Sequence, residues 1–225
     1  MKNIEAMIFD LDGVLIDTET FYIKRLREFA KQEFGLDIPQ EEAAVIAGAS
    51  GPVDWMVLEP YLSSSMDYEE YKRRYRVDLE QMTIHYRELL FPCVPEVLGM
   101  LKDKGYRLAL ATSSLEDKVE RVMEECGLAP YFQQRVTRND VHRPKPDPEI
   151  YLVCLDKLRL PAEKCLVVED SPVGIEAAHR AGITVAARHE TRYPLDQSGA
   201  DYLLESLTDL EVLLEFAFTT ASIRS

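Results

Sequence analysis

The sequence predicts an α/β protein: a Rossmann-like, doubly wound parallel sheet core with an inserted α-helical cap domain. Three observations carry this. Short, nearly continuous apolar runs alternate with helical stretches through the second half of the chain, as in a parallel sheet covered on both faces. Residues 18 to 90, directly after the first such run, contain helical patterns and no convincing strand. Several apolar runs end abruptly in acids or hydroxyls, which open parallel sheets place at the carboxyl edge where ligands bind.

Taken in order, residues 4–10 read as the first strand. Residues 18–34 follow as an amphipathic helix with Ile23, Leu26, Phe29, Ala30 and Phe34 near helical spacing. Asp17 or Thr18 can cap its start and Gly35 its end. "PQEEAAVIAG" is a second helix starting at Pro39, "SGPVDWMVLEPYLSSS" is a broken connection, and Tyr68 to Leu90 is one long charged helix. The texture changes after "FPCVPE". A helix at 95–104 precedes the strand "YRLALATSS", a helix at 115–126 ends at Gly127, and "QRVTR" is a short strand. "KPDPEIYLVCLDKL" begins a helix with Asp147 as cap and Pro148 at its first position. "KCLVVED" is a strand, "SPVGIEAAHRAG" a helix and "ITVAAR" a strand, and the last stretch supplies an edge strand and a closing helix. The expected division is a core of 1–16 and 91–225 with a cap of 17–90, joined by connectors at 13–18 and about 88–94.

The chain has 225 residues with 40 acidic against 26 basic, a net charge of −14. Such a surface repels nucleic-acid backbones, so no nucleic-acid partner is expected, and an anionic substrate would need a local cation. No apolar run reaches the ~20 residues that span a bilayer, and the N-terminus lacks a basic region followed by an apolar one. The expectation is a cytoplasmic monomer with no membrane partner. Cys93, Cys126, Cys154 and Cys165 form no CxxC pair and read as reduced core thiols. The four histidines are not at metal-ligand spacing.

The strand ends carry the chemistry. In extended backbone Asp10 and Asp12 of "DLD" point to one side. Two close carboxylates repel, so one tends to hold a proton or a cation sits between them. One can be a nucleophile and the other, poised as the protonated partner, a general acid/base. Mg²⁺ suits such hard oxygen donors, with Glu169 and Asp170 of another strand end completing the shell. Thr112 and Ser113 can bind phosphate oxygens at a helix start. Lys145, between Pro144 and Pro146, can offset the charge of nucleophile and phosphoryl group. Each motif alone has a bland reading as a turn, a cap or a solvated lysine. The convergence of four at successive strand ends points to a site for a small phosphorylated metabolite.

"FDLDGVLIDTE", "LALATSS", "RPKPDPEIY" and "VVEDSPVGIEAAHRAGI", in this order and spacing, resemble the haloacid dehalogenase superfamily, in particular its capped phosphatases and β-phosphoglucomutase-like members. The resemblance implies that Asp10 is the nucleophile forming an aspartyl-phosphate and Asp12 the general acid/base. Thr112 and the backbone around Ser113 would bind the phosphoryl group, with Lys145 bridging nucleophile and phosphate. Asp10, the backbone carbonyl of Asp12 and Asp170 would ligate Mg²⁺, with Glu169 nearby or acting through water. The dehalogenase branch lacks the second aspartate, so Asp12 favours phosphoryl transfer. The mutase group carries a His where this chain has Tyr22, and an Arg where "GASGP" has Gly51. These departures favour a Mg²⁺-dependent phosphatase over a hexose-phosphate mutase. Lys72, Arg73, Arg74 and Arg76 could replace the lost cation or simply form a solvated face. A non-catalytic phospho-acceptor switch is the remaining alternative.

Overall fold

The computed structural model describes residues 4–48, 53–62 and 66–222. Six parallel strands form one sheet: β1 (Ala6–Phe9), β2 (Arg107–Ala111), β3 (Gln134–Val136), β4 (Cys165–Glu169), β5 (Thr184–Arg188) and β6 (Tyr202–Leu204), in the order β3-β2-β1-β4-β5-β6. The order reverses between β1 and β4, so the carboxyl ends of these two central strands open the crevice where doubly wound sheets bind ligands.

Alternation along each strand explains why the runs are apolar throughout. Met7, Phe9, Leu108, Leu110, Leu166 and Val168 enter one core layer, while Ala6, Ile8, Ala109, Ala111, Cys165 and Val167 enter the other. Ten helices are described: α1 (Thr18–Phe34), α2 (Gln40–Ala43), α3 (Val53–Leu58), α4 (Tyr68–Glu80), α5 (Tyr86–Leu89), α6 (Val94–Asp103), α7 (Glu116–Glu125), α8 (Glu149–Leu158), α9 (Pro172–Arg180) and α10 (Asp209–Ser222). The first layer packs against α6, α7 and α10, the second against α8 and α9.

The helices α1 to α4 bury a third cluster of their own. Ile23, Leu26, Phe29 and Ala30 of α1 meet Tyr71 and Tyr75 of α4, with the Phe29 and Tyr75 rings 4.9 Å apart. Each large side chain so covered is worth about 1.5–3 kcal/mol. Asp17 caps α1 by accepting from the Thr20 N–H, and Gly35 ends it at φ 70°. The two connectors run side by side: Asp17 N–H donates to Leu89 O at 2.7 Å and Phe91 N–H to Leu15 O at 3.0 Å.

Three expected elements differ. The long helix from Tyr68 stops at Glu80, because Ile84 and Tyr86 must reach the sheet layer, and Glu125 of α7 receives the Tyr86 N–H at 2.9 Å. The supposedly broken stretch holds α3, which buries Val57 and Leu58. Pro39 and Pro148 stand at the N-cap, outside the helices they precede. Cys126, Cys154 and Cys165 are buried free thiols, as their contexts suggested. Among the described residues no helix is long and apolar enough to cross a membrane.

Candidate active site

The sheet brings the expected side chains to one cavity of about 410 Å³, bounded by the ends of β1, β2 and β4 and by α1. Register does this: Phe9 pairs with both Leu110 and Val168, so Asp10 emerges between Ala111 and Glu169. The Asp10 N–H still donates to Val168 O at 2.9 Å, which fixes the carboxylate where the strand ends.

Lys145 is almost wholly buried, and three acceptors surround its Nζ. Asp10 Oδ1 lies at 2.7 Å, Glu169 Oε1 at 2.6 Å and Ala111 O at 3.3 Å. Glu169 is completely buried, and both of its oxygens are occupied. Oε1 accepts from Lys145 and the Tyr151 hydroxyl. Oε2 accepts from the N–H groups of Asp170 and Ser171 and from Ser171 Oγ. Burial opposes its charge, yet Lys145 and these donors hold its pKa below the usual carboxylate range. Glu169 thus anchors Lys145 and the turn into α9, a position next to Asp170 that agrees with an expected place near the metal or acting through water. The packing explains Gly174 too, where a Cβ would fall 1.7 Å from Glu169 Oε1. Gly174→Ala should cost about 3 kcal/mol or more in urea unfolding, since backbone or the buried carboxylate must shift. A loss below about 1 kcal/mol would show that this contact yields.

Asp12 sits in a different environment. Thr18 Oγ1 at 2.5 Å and Lys118 Nζ at 2.7 Å donate to its Oδ1, and Ser114 Oγ at 2.6 Å donates to its Oδ2. Burial opposes ionisation, but Lys118 and the two hydroxyls outweigh it and lower the pKa. Asp10 goes the other way: burial, with Glu169 and Asp12 adding to it, exceeds the pull of Lys145 and raises its pKa to about 7. The sequence expectation placed the proton on Asp12; the surroundings favour charge on Asp12, which Lys118 of α7 offsets, and oppose it on Asp10 and Asp170.

Lys118 is the functional candidate that sequence reasoning missed, while Ser114, from the hydroxyl run that ends the second strand, and Thr18, expected only as a possible cap, turn to Asp12. Lys118 lies one turn into an ordinary amphipathic helix, and nothing in the local pattern marks it. Thr112 is buried, its Oγ1 accepting from the Ser114 N–H at 3.1 Å, and Ser113 lies exposed on the cavity wall.

A divalent cation fits the remaining carboxylates. Burial first, then the charges of Glu169 and Asp10, push Asp170 well above its ordinary value. Its Oδ2 lies where a Cβ on Gly13 would stand, 1.9 Å away, and Gly13 holds φ 74°, so the loop carries glycine for both space and conformation. Asp10 and Asp170, two buried acids whose ionisation burial opposes, suit a hard cation that also uses waters and substrate oxygens. Among the described residues no group of three His, Cys, Asp or Glu is poised to hold a metal ion.

From α1 the cavity receives Thr18, Glu19 and Tyr22. The basic residues of α4 are elsewhere. Arg73 and Arg74 pair with Glu70, Arg74 also with Glu33, Arg76 with Glu80, and Lys72 lies over the Tyr68 ring. None of the four lines the cavity. Gly51 lies outside the described residues.

A doubly wound sheet with an aspartate pair following its first strand, a buried lysine beside the first of the pair and a helical insert after that strand defines the capped hydrolases of haloacid dehalogenase type. The chain belongs to the haloacid dehalogenase-like hydrolases, whose family pattern matches residues 7–188. It is 36% identical over 181 residues to the phosphorylated carbohydrates phosphatase of Thermotoga maritima, covering 80% of this chain and 82% of that one. It shares the fold of the β-phosphoglucomutase of Clostridium difficile, with a TM-score of 0.71 at 24% identity over 98% of this chain and 100% of that one. The D10N mutant of CbbY from Rhodobacter sphaeroides, solved with xylulose 1,5-bisphosphate, is also similar: TM-score 0.69, 25% identity, 92% and 96% covered.

Proposed function

We propose that the protein is a Mg²⁺-dependent phosphatase that hydrolyses a small phosphomonoester, a sugar phosphate being the favoured class, through an aspartyl-phosphate on Asp10. The Asp10 carboxylate attacks phosphorus, an acyl-phosphate bond forms and the ester P–O bond breaks. Asp12 passes a proton to the departing alkoxide, then takes one from the water that attacks the aspartyl-phosphate and frees inorganic phosphate. The dianionic phosphoryl group beside Asp12 raises its proton affinity, which supplies the acid form that the resting site lacks. Lys145 stabilises charge on Asp10 and the transferring group, and Thr112 and Ser113 receive its oxygens. Mg²⁺, held by Asp10, Asp170 and the Asp12 carbonyl, would neutralise the phosphoryl charge and keep both acids ionised.

The observation that carries phosphatase over mutase is the disposition of charge in the cavity. Its cations are Lys118, Lys145 and Arg138, and each is engaged: with Asp12, with Asp10 and Glu169, and with the Val141 and His142 carbonyls. The described part of the insert contributes Thr18, whose hydroxyl is engaged by Asp12, the carboxyl Glu19, pushed up by burial, the phenol Tyr22 and Gly48, and no cation. A second phosphate would meet acid and aromatic surface there, whereas a neutral, hydroxylated leaving group would not be repelled. The relationship to the carbohydrate phosphatase points the same way. A phospho-acceptor switch has no support from a family of hydrolases.

The test is turnover of β-glucose 1-phosphate with Mg²⁺ and a trace of glucose 1,6-bisphosphate, beside a panel of other phosphomonoesters, with and without EDTA. Free phosphate from panel members, abolished by EDTA and accompanied by no glucose 6-phosphate, is the expected result. Glucose 6-phosphate without free phosphate would replace this reading by the mutase one.

A further inference from the structure

Residues 188–197, which begin at the last residue of β5, touch both connectors that a moving insert would have to pivot on. Arg188 Nε donates to Gly13 O on one connector, and its guanidinium lies 4.5 Å from the centre of the Phe91 ring on the other. Glu190 is buried and shared: Arg188 Nη2 reaches it at 2.8 Å and Arg192 Nη2 at 2.6 Å. Arg192 then extends into the insert. Its Nη1 and Nη2 donate to the two oxygens of Asp17, the cap of α1, and Nη1 also to Thr20 Oγ1 at 3.0 Å.

Tyr193 is buried in the insert's own apolar cluster, its hydroxyl hydrogen-bonded to Thr20. Leu195 lies 3.0 Å from where a Cβ on Gly48 would fall, at the cavity wall. The base of the segment is tied to the site: Gln197 Nε2 donates to Asp170 O at 2.6 Å and to Arg188 O at 2.8 Å, and its Oε1 accepts the Glu190 N–H at 2.9 Å.

We propose that residues 188–197 form a latch that holds the helical insert down over the carboxylates, with Arg192 as its positioning residue, and that the latch limits the size of the leaving group the site accepts. A segment fastened at one end to Asp170 and at the other to Asp17, Thr20 and the apolar interior of the insert opposes any rotation about the connectors. Arg192 is the charged link between the two ends. Its bidentate geometry fixes direction as well as distance, which a lysine in its place would not. The insert's height above Asp10 sets the room left for whatever carries the phosphate. The size limit rests on the phosphatase reading; the latch itself does not.

The experiment compares wild type, Arg192→Ala and Arg192→Lys in two ways. Hydrogen exchange at 13–18 and 88–94 is followed without substrate. Steady-state kinetics are measured on acetyl phosphate, glucose 6-phosphate and the bulkier adenosine 5′-monophosphate. Exchange at both connectors should quicken about five- to tenfold in Arg192→Ala, and less in Arg192→Lys, as expected when a partly exposed bidentate pair biases a two-state opening. KM for glucose 6-phosphate should rise about fivefold with kcat changing less, while the nucleotide improves relative to both smaller substrates. Unchanged exchange in a folded Arg192→Ala protein would overturn the latch. Parallel losses on all three substrates would overturn the size limit. If wild type hydrolyses none of the three, the phosphatase reading fails and the size limit with it, and exchange alone decides the latch. Should Arg192→Ala not fold, Arg192→Lys carries the same comparison.

Discussion

Asp10→Asn should eliminate turnover while leaving the protein folded and no less stable. Asparagine keeps the shape, and its carbonyl can still accept from Lys145, which now lies 2.7 Å from Asp10 Oδ1. It cannot form an acyl-phosphate, so phosphate release should fall at least about a thousandfold, the scale of losing a nucleophile. Stability follows from the protonation state. Burial raises the folded pKa of Asp10 to about 7, against 3.8 for the unexceptional group. Between those values the folded protein binds the proton that the unfolded chain has released, so this residue makes the metal-free protein less stable as pH rises from about 4 to about 7. The asparagine variant lacks that titration, so its stability should decline less over the same window in urea unfolding. A variant that keeps a tenth of wild-type activity would remove Asp10 from the nucleophile role. An unaltered pH dependence would show that its carboxylate is not held against its charge.

What could be read in the sequence and what could not divide along a physical line. Local rules act over a few residues, and they held where no tertiary contact competed, unlike at the end of α4, which stops at Glu80. Asp17 and Gly35 bound α1 because a cap and a left-handed glycine act within one turn. The apolar runs became strands because period-two burial on both faces leaves no other composition. The carboxylates and hydroxyls converge because they follow strands of one parallel sheet, and Lys145 reaches them from the loop between β3 and α8. The division of labour among them was not readable. Asp10 and Asp12 are two residues apart in one motif, yet burial drives one pKa up while Lys118, 106 residues further on, pulls the other down. The sequence places Glu169 beside Asp170 but does not show that five donors, from Lys145, Tyr151, Asp170 and Ser171, reach its two oxygens. The contacts of 188–197 with Gly13, Asp17 and Thr20 span some 175 positions, and "RHETRYPLDQ" has neither strand nor helix periodicity to announce them. Sequence pattern shows which side chains reach the edge of the sheet. Which of them hold protons there is decided by tertiary neighbours.

Lys145→Met should remove both activity and a large share of stability, and the two losses should be separable. Lys145 lies between Asp10 and Glu169 with its Nζ within hydrogen-bonding distance of both. Methionine keeps much of the stem's volume but strands two carboxylates in the interior. Removing one partner of a buried ion pair costs roughly 3–5 kcal/mol, and losing a positioned cation from a phosphoryl site about a hundredfold or more in kcat. The two acids should respond differently. Asp10 is already drawn toward protonation and can become neutral. Glu169 keeps the Tyr151 and Ser171 hydroxyls and two backbone N–H groups, all of which favour its charge, so it stays ionised and unpaired. Adding Glu169→Gln removes that charge. The double variant should therefore regain at least about 1.5 kcal/mol over the sum of the single losses, the signature of directly coupled neighbours. It should regain no turnover, because nothing then offsets the charge of Asp10 and the phosphoryl group. Additive single losses below about 1 kcal/mol each would make Lys145 a solvated cation with no structural charge partner. Activity recovered along with stability would mean that Lys145 serves the reaction only by holding Glu169 in place.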